Sequence, residues 1–158
     1  MDLRELKTML EAVTQGHFSE DAPKLAEYTP HDARNLEDLL REAGESFHEM
    51  LFRLIRERGL EDTEVYRRAG LDRRLFFKIR SNPAYHPGKS TVLALAVGLK
   101  LSIPETEQLL AAAEYAFSAG SRRDLIVRYF IGREVYDIDI INYGLSEFGE
   151  PLLGKEHQ

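Results

Sequence analysis

The sequence predicts an all-α fold. Apolar residues recur three and four positions apart through most of the chain, and short helix-opening signatures precede these runs. Serines at 46, 102 and 121 are each followed three positions later by an acid, and glycine or proline closes nearly every run. Only DIDII, at 137–141, alternates as a strand would; with no partner strand in the sequence it reads as helix.

The first helix is expected from about Leu3 to Gln15, where Leu3, Leu6, Leu10 and Val13 share a face and Gly16 ends it. A second opens with Thr29 as N-cap and Pro30 at the first helical position, turns Ala33, Leu36, Leu40 and Ala43 inward, and closes at Gly44. Ser46 and Glu49 open a third, carrying Phe47, Leu51, Leu54 and Ile55 to Gly59. Two short helices follow in GLEDTEVYRRAGLDRRLFFKIRSN, hinged on Ala-Gly-Leu, and SNPAYHPGK is a loop. The run STVLALAVGLKL is almost wholly apolar, as befits a helix buried on most sides. Ser102 and Glu105 box the next helix, through Leu109, Leu110, Ala113 and Phe117. Ser121 and Asp124 open one with Leu125, Ile126, Tyr129 and Phe130, and a last helix spans about Asp137 to Phe148 with Ile138, Ile141 and Leu145.

Composition excludes several classes. The chain has 158 residues, 43% of them hydrophobic and 30% charged, which suits a folded globular protein rather than a disordered one. It has no cysteine, which removes disulfides, thiolate metal sites and thiol nucleophiles, and no apolar run of bilayer-spanning length. With no signal-peptide pattern at MDLRELKTML, a cytoplasmic, membrane-free protein is expected.

The net charge of −6 argues against nonspecific coating of nucleic acid, which depends on neutralising phosphates. Charge is unevenly spread, however: residues 1–44 are net −5, 45–117 net +1 and 118–158 net −2. Within 66–89 stand Arg67, Arg68, Arg73, Arg74, Lys78, Arg80 and Lys89 against the single acid Asp72. An ordinary solvated face mixes signs, so this run marks a candidate anion-binding surface.

The stretch from Phe47 to about Leu110 resembles the lambda-repressor-like (XRE-type) helix-turn-helix family. Val65, Ala69, Leu71, Phe76 and Ile79 fall on its five buried positions, with Gly70 at the turn, and TVLALAVGLKLSIPETEQLL follows in register as its fourth and fifth helices. The resemblance implies a five-helix repressor-like domain, with N-terminal and C-terminal helical pairs appended. Domains are therefore expected at 1–44 (an acidic helical pair), 45–117 (the helix-turn-helix domain) and 118–158 (a C-terminal pair and tail). It also implies sequence-dependent binding of double-stranded DNA in transcriptional regulation. A recognition helix at about 72–81 would lie in the major groove. Asp72, Arg73, Arg74, Phe77 and Lys78 would face it. Arg73 and Arg74 are the natural guanine readers, Phe77 suits a thymine methyl, and Lys78 stands beside them at the base edges and also suits a phosphate. Arg67, Arg68, Arg80 and Lys89 would take phosphates. Homodimers are expected, as such repressors bind paired half-sites. A fainter resemblance links 45–154, ending EFGEPLLG, to an uncharacterised helical module sometimes fused to bacterial macro-domain proteins; it implies no site residues.

Tyr66 stands where the family usually has alanine, Asp62 where it often has glutamine, and Phe77 is apolar on a face that should read bases. These residues define the alternative: a non-enzymatic adaptor of phage-defence or toxin-antitoxin type, with Leu75, Phe77, Tyr66 and the acidic N-terminal helices as contact surface. The seven aromatics from Tyr115 onward read mostly as core, and a Tyr- and Phe-rich helix pair also suits self-association. HPGKST has the end of a phosphate-binding loop, but Pro83 occupies the required first glycine. The histidines are too scattered for a metal, and no nucleophile, base and acid are announced together, so neither an enzyme nor a cofactor is expected.

Overall fold

The computed structural model describes residues 30–154 together with Arg4, Glu5, Lys7 and Thr8. Those four are helical; the rest of the helix expected at 3–15, and the Thr29 cap, lie outside the described residues. The remainder runs α1 (Pro30–Arg41), α2 (Phe47–Glu57), α3 (Asp62–Arg68), α4 (Arg73–Ser81), α5 (Lys89–Gly98), α6 (Ile103–Ala112), α7 (Arg122–Gly132) and α8 (Ile138–Glu147). The described residues are helical with no strand, and DIDII supplies the N-cap and first turn of α8. No helix among them is long and apolar enough to cross a membrane.

The chain divides into two units, Met1–Gly44 and Glu45–Gln158. In the first, α1 is held locally by Arg41, which lies 3.4 Å from both Glu37 and Asp38. Leu40, expected inward, is exposed, as is Leu39. The periodicity of α1 is therefore amphipathic without a covering surface within its described part.

In the second unit α5 is the centre. Every residue from Ser90 to Gly98 is buried, and the helix packs against α3, α6 and α8. Fully burying Leu93, Leu95 and Val97 is worth roughly 1.5–3 kcal/mol each. The approach of α3 depends on Gly98, where a Cβ would lie 2.9 Å from the Val65 carbonyl oxygen and 3.1 Å from the Ala69 nitrogen. Val65, Ala69, Leu71, Phe76 and Ile79 are all buried in this core.

The expected caps form. Ser102 and Glu105 make the reciprocal box, while Ser46 and Ser121 each accept the backbone N–H three residues on. Glu105 also accepts from Arg58 of α2 at 2.7 Å; that guanidinium, and then the Ser102 backbone N–H, hold its carboxyl below the usual carboxylate range. Six helices end alike, with a left-handed residue followed by an N–H returning five residues to a carbonyl at 2.8–3.1 Å. Glycine takes the left-handed position at 59, 70 and 149, but Lys100, Glu114 and Glu134 take it at the other three.

Residues 118–154 share this core. Val127, Ile131, Ile141, Leu145 and Leu153 are buried with the residues of α2 to α6. The tail closes on the α3–α4 turn: Ile138 carbons come within 3.5 Å of where a Gly70 Cβ would stand, and a Cβ on Gly154 would lie 2.7 Å from the Gly70 carbonyl oxygen. Asn142 clamps the tail, accepting from Leu153 N–H at 2.8 Å and donating to its carbonyl at 3.2 Å. Of the seven C-terminal aromatics, Tyr115, Phe117, Phe130 and Tyr136 pack against the core and three do not. Tyr129, Tyr143 and Phe148 are exposed, the other four half-buried, and α7 buries Asp124, Val127 and Ile131 while Leu125 faces solvent.

Candidate nucleic-acid interface

Helix α4 is built to present one charged side. Its N-cap, Asp72, accepts the Arg74 N–H at 2.7 Å, so the only acid of the basic run sits at the positive end of the helix. Phe76 and Ile79 anchor the inner side, and no carboxylate occurs within the helix. Arg74 and Lys78, four apart, share the side opposite that anchor, with Phe77 and Ser81 beside them.

The expected base-contacting residues are gathered here and are all exposed. The Arg73 guanidinium stands over the Phe77 ring at 5.3 Å, and the Lys78 ammonium over Tyr85 at 4.6 Å. Such contacts hold a cation in place without neutralising it. Phe77 remains 42% exposed. Arg74 makes no ion pair among the described residues. Tyr85 was not legible as part of this surface, because only the folded loop brings its ring beneath Lys78.

The expected phosphate contacts separate into three kinds. Arg67 at the end of α3 is exposed, and Arg68 is only loosely paired with Glu64, at 3.7 Å. Arg80 is turned away from the α4 outer stripe: its guanidinium donates to Asp62 at 2.6 Å and lies 4.3 Å from the centre of the Phe52 ring. Asp62, where the family it resembles often has glutamine, is thus an internal partner for Arg80. Lys89 is a correction to the expected set. Its ammonium pairs with the Asp124 carboxylate, which is almost fully buried and also accepts the Ser118 N–H at 2.8 Å. A buried carboxylate needs that cation, so the Lys89 ammonium is engaged inside the fold.

Tyr66 is half-buried, its ring 5.6 Å from that of Phe76 and tilted 49° to it, so α3 packs this ring against the inner side of α4. The arrangement contains exposed donors, cations and rings, and its chemistry is that of binding anionic or aromatic groups. No family model, curated protein or solved structure matches this chain.

Proposed function

We propose that the chain is a sequence-dependent binder of double-stranded DNA acting in transcriptional regulation. In this reading α2 to α6 form a five-helix repressor-like helix-turn-helix domain and α4 enters the major groove. One observation carries it: α4 offers Arg74 and Lys78 on its outer side with Arg73 adjacent, and no carboxylate of the helix answers them. Arg74 reads guanine through two parallel donors, Arg73 and Phe77 act as a unit against a neighbouring base, and Arg67 and Arg68 steady the backbone. Arg80 and Lys89 play no direct part, being held by Asp62 and Asp124.

Selection from random duplexes followed by titration across salt concentrations tests this. A specific duplex should emerge, and Arg74→Ala should weaken it by about 1–3 kcal/mol and relax preference at one position. Lys78→Ala should lower the salt slope by about 1. If no duplex is enriched or bound even at low salt, the reading fails.

The exposure of Phe77 favours a second reading, a protein-binding adaptor contacting through Phe77, Leu75 and Tyr66. There, Phe77→Ala would abolish partner capture with the fold intact, while Arg74→Ala would have little effect.

A further inference from the structure

The second unit concentrates its exposed apolar side chains. Leu125, Tyr129, Ile140, Tyr143 and Phe148 are each between 50% and 69% exposed, and besides them only Phe77, at 42%, is exposed among the described large hydrophobics of that unit. All five lie on α7, on α8 or at the end of α8. Exposed apolar side chains gathered on two helices that pack side by side mark a contact with another molecule.

The charges around this patch say which molecule. On α7, Arg122, Leu125, Tyr129 and Arg133 are spaced three and four apart, so they form one stripe on the side away from Val127 and Ile131. An apolar pair is thereby flanked by two arginines. On α8, Asp139, Ile140, Tyr143 and Glu147 form the matching stripe away from Ile141 and Leu145, its apolar pair flanked by two acids. Segregation is strong on both helices. The only carboxylate on α7 is the buried Asp124, and no Lys or Arg occurs from Glu134 to Gly154. Arg133, Asp139 and Glu147 enter no salt bridge among the described residues; Arg133 lies over the Tyr129 ring at 4.7 Å, and Arg122, 66% exposed, lies 3.4 Å from Glu150 of its own chain.

We propose that this face is the contact between two copies of the chain. The two helices run antiparallel, because the Arg122 guanidinium at the start of α7 reaches the Phe148 carbonyl at the end of α8. A two-fold axis parallel to them lays α7 of each copy over α8 of the other. Arg133 then meets Asp139 of the other copy, Arg122 meets Glu147, and Leu125 and Tyr129 meet Ile140 and Tyr143, each contact occurring twice. One face with a basic half and an acidic half is complementary to itself in this arrangement and to no uniformly charged partner. The proposal is independent of the DNA reading. It would also fix the separation of the two α4 helices, since α8 packs on the Gly70 turn.

Charge reversal gives the test, read by sedimentation velocity of the full chain without DNA. Arg122→Glu combined with Arg133→Glu makes both halves acidic, and Asp139→Arg combined with Glu147→Arg makes both basic. Wild type should dimerise, and each double variant should have a dimer dissociation constant raised about a hundredfold or more, because like charges then face each other at every flank. An equimolar mixture of the two variants should recover the dimer, because each acidic stripe again finds a basic one. Circular dichroism checks that helix content is kept. Tyr143→Ala, which alters no charge, should weaken dimerisation at least about tenfold. The proposal is overturned by a wild type monomeric up to about 100 µM, far above the range of specific interfaces. It is equally overturned by dimers that survive both reversals or by a mixture that stays monomeric. None of these outcomes bears on duplex binding, which the random-duplex selection decides.

Discussion

Replacing Lys89 by methionine separates a structural cation from a ligand-binding one. The substitution keeps the length of the side chain and removes its charge, leaving the Asp124 carboxylate, 1% exposed, with the Ser118 N–H as its close donor. Oδ1 has no hydrogen-bond partner even in the intact protein. Breaking a buried pair from one side costs about 3–5 kcal/mol. Two features of this site lower that figure: the Lys89 side chain is 19% exposed, and the Arg123 guanidinium lies 3.7 Å from Oδ1. A loss of about 2–3 kcal/mol is therefore expected. Urea unfolding followed by circular dichroism reads it, and with a slope of about 1–3 kcal/mol per molar the midpoint should fall by about 0.7–3 M. Asp124→Asn should cost less, because the orphaned ammonium can reach water while a buried carboxylate cannot. A stability loss for Lys89→Met below about 1 kcal/mol, or the reverse order of the two variants, would refute the assignment. In the same preparations, the salt dependence of duplex binding by folded Lys89→Met should match wild type.

Three further outcomes follow from the packing. Gly98→Ala should destabilise by about 1–2 kcal/mol, since overpacking against Val65 and Ala69 outweighs the better helix propensity of alanine; a neutral or stabilising result in thermal unfolding would show that α3 has room to move. Lys100→Gly should stabilise by about 0.5–1 kcal/mol, because its left-handed backbone is strained for a residue with a Cβ, and an unchanged denaturation midpoint would count against it. Glu105→Gln should cost about 1 kcal/mol at pH 7, where the ionised carboxylate caps α6 and pairs with Arg58. The folded-state pKa of Glu105 lies below its unfolded value. Its contribution is thus complete above the ordinary carboxylate pKa of about 4.3 and fades as pH falls through the folded value, so wild type and variant should converge in acid; a gap that persists at pH 2 would disprove the linkage.

Helix positions were readable because they depend on local chemistry. Ser46, Ser102 and Ser121 cap the helices they precede, Gly59, Gly70 and Gly149 end theirs, and STVLALAVGLKL is too apolar to be anything but central. Facing was readable where one side of a helix is much more apolar than the other, as for Phe76 and Ile79. It failed on α7, where Leu125, Ile126, Val127, Tyr129, Phe130 and Ile131 surround the axis and the pattern selects no face. The buried side there is decided by what lies beneath it: the core takes Val127 and Ile131, and Asp124 turns inward to the Lys89 ammonium.

The candidate surface divides in the same way. A cluster of seven cations was evident from composition, and an uninterrupted α4 from its N-cap to Ser81 places Arg73, Arg74, Phe77 and Lys78 together by helical geometry alone. Which cations remain available was a question of distant partners. Asp62 is 18 residues from Arg80 and Asp124 is 35 from Lys89, and no local pattern joins either pair. The C-terminal helix pair was legible from its Tyr and Phe residues as a surface suited to self-association, but the pairing of a basic stripe on α7 with an acidic one on α8 emerges only with the two helices antiparallel over one core. Sequence by itself determined the described helices, most of their starts, the ends marked by glycine and the sign of the charge on each; the helix expected to run through Phe117 stops at Ala112. Tertiary structure alone decided which charges are answered inside the protein and which face outward, because ion pairing depends on distance in space and not on separation along the chain.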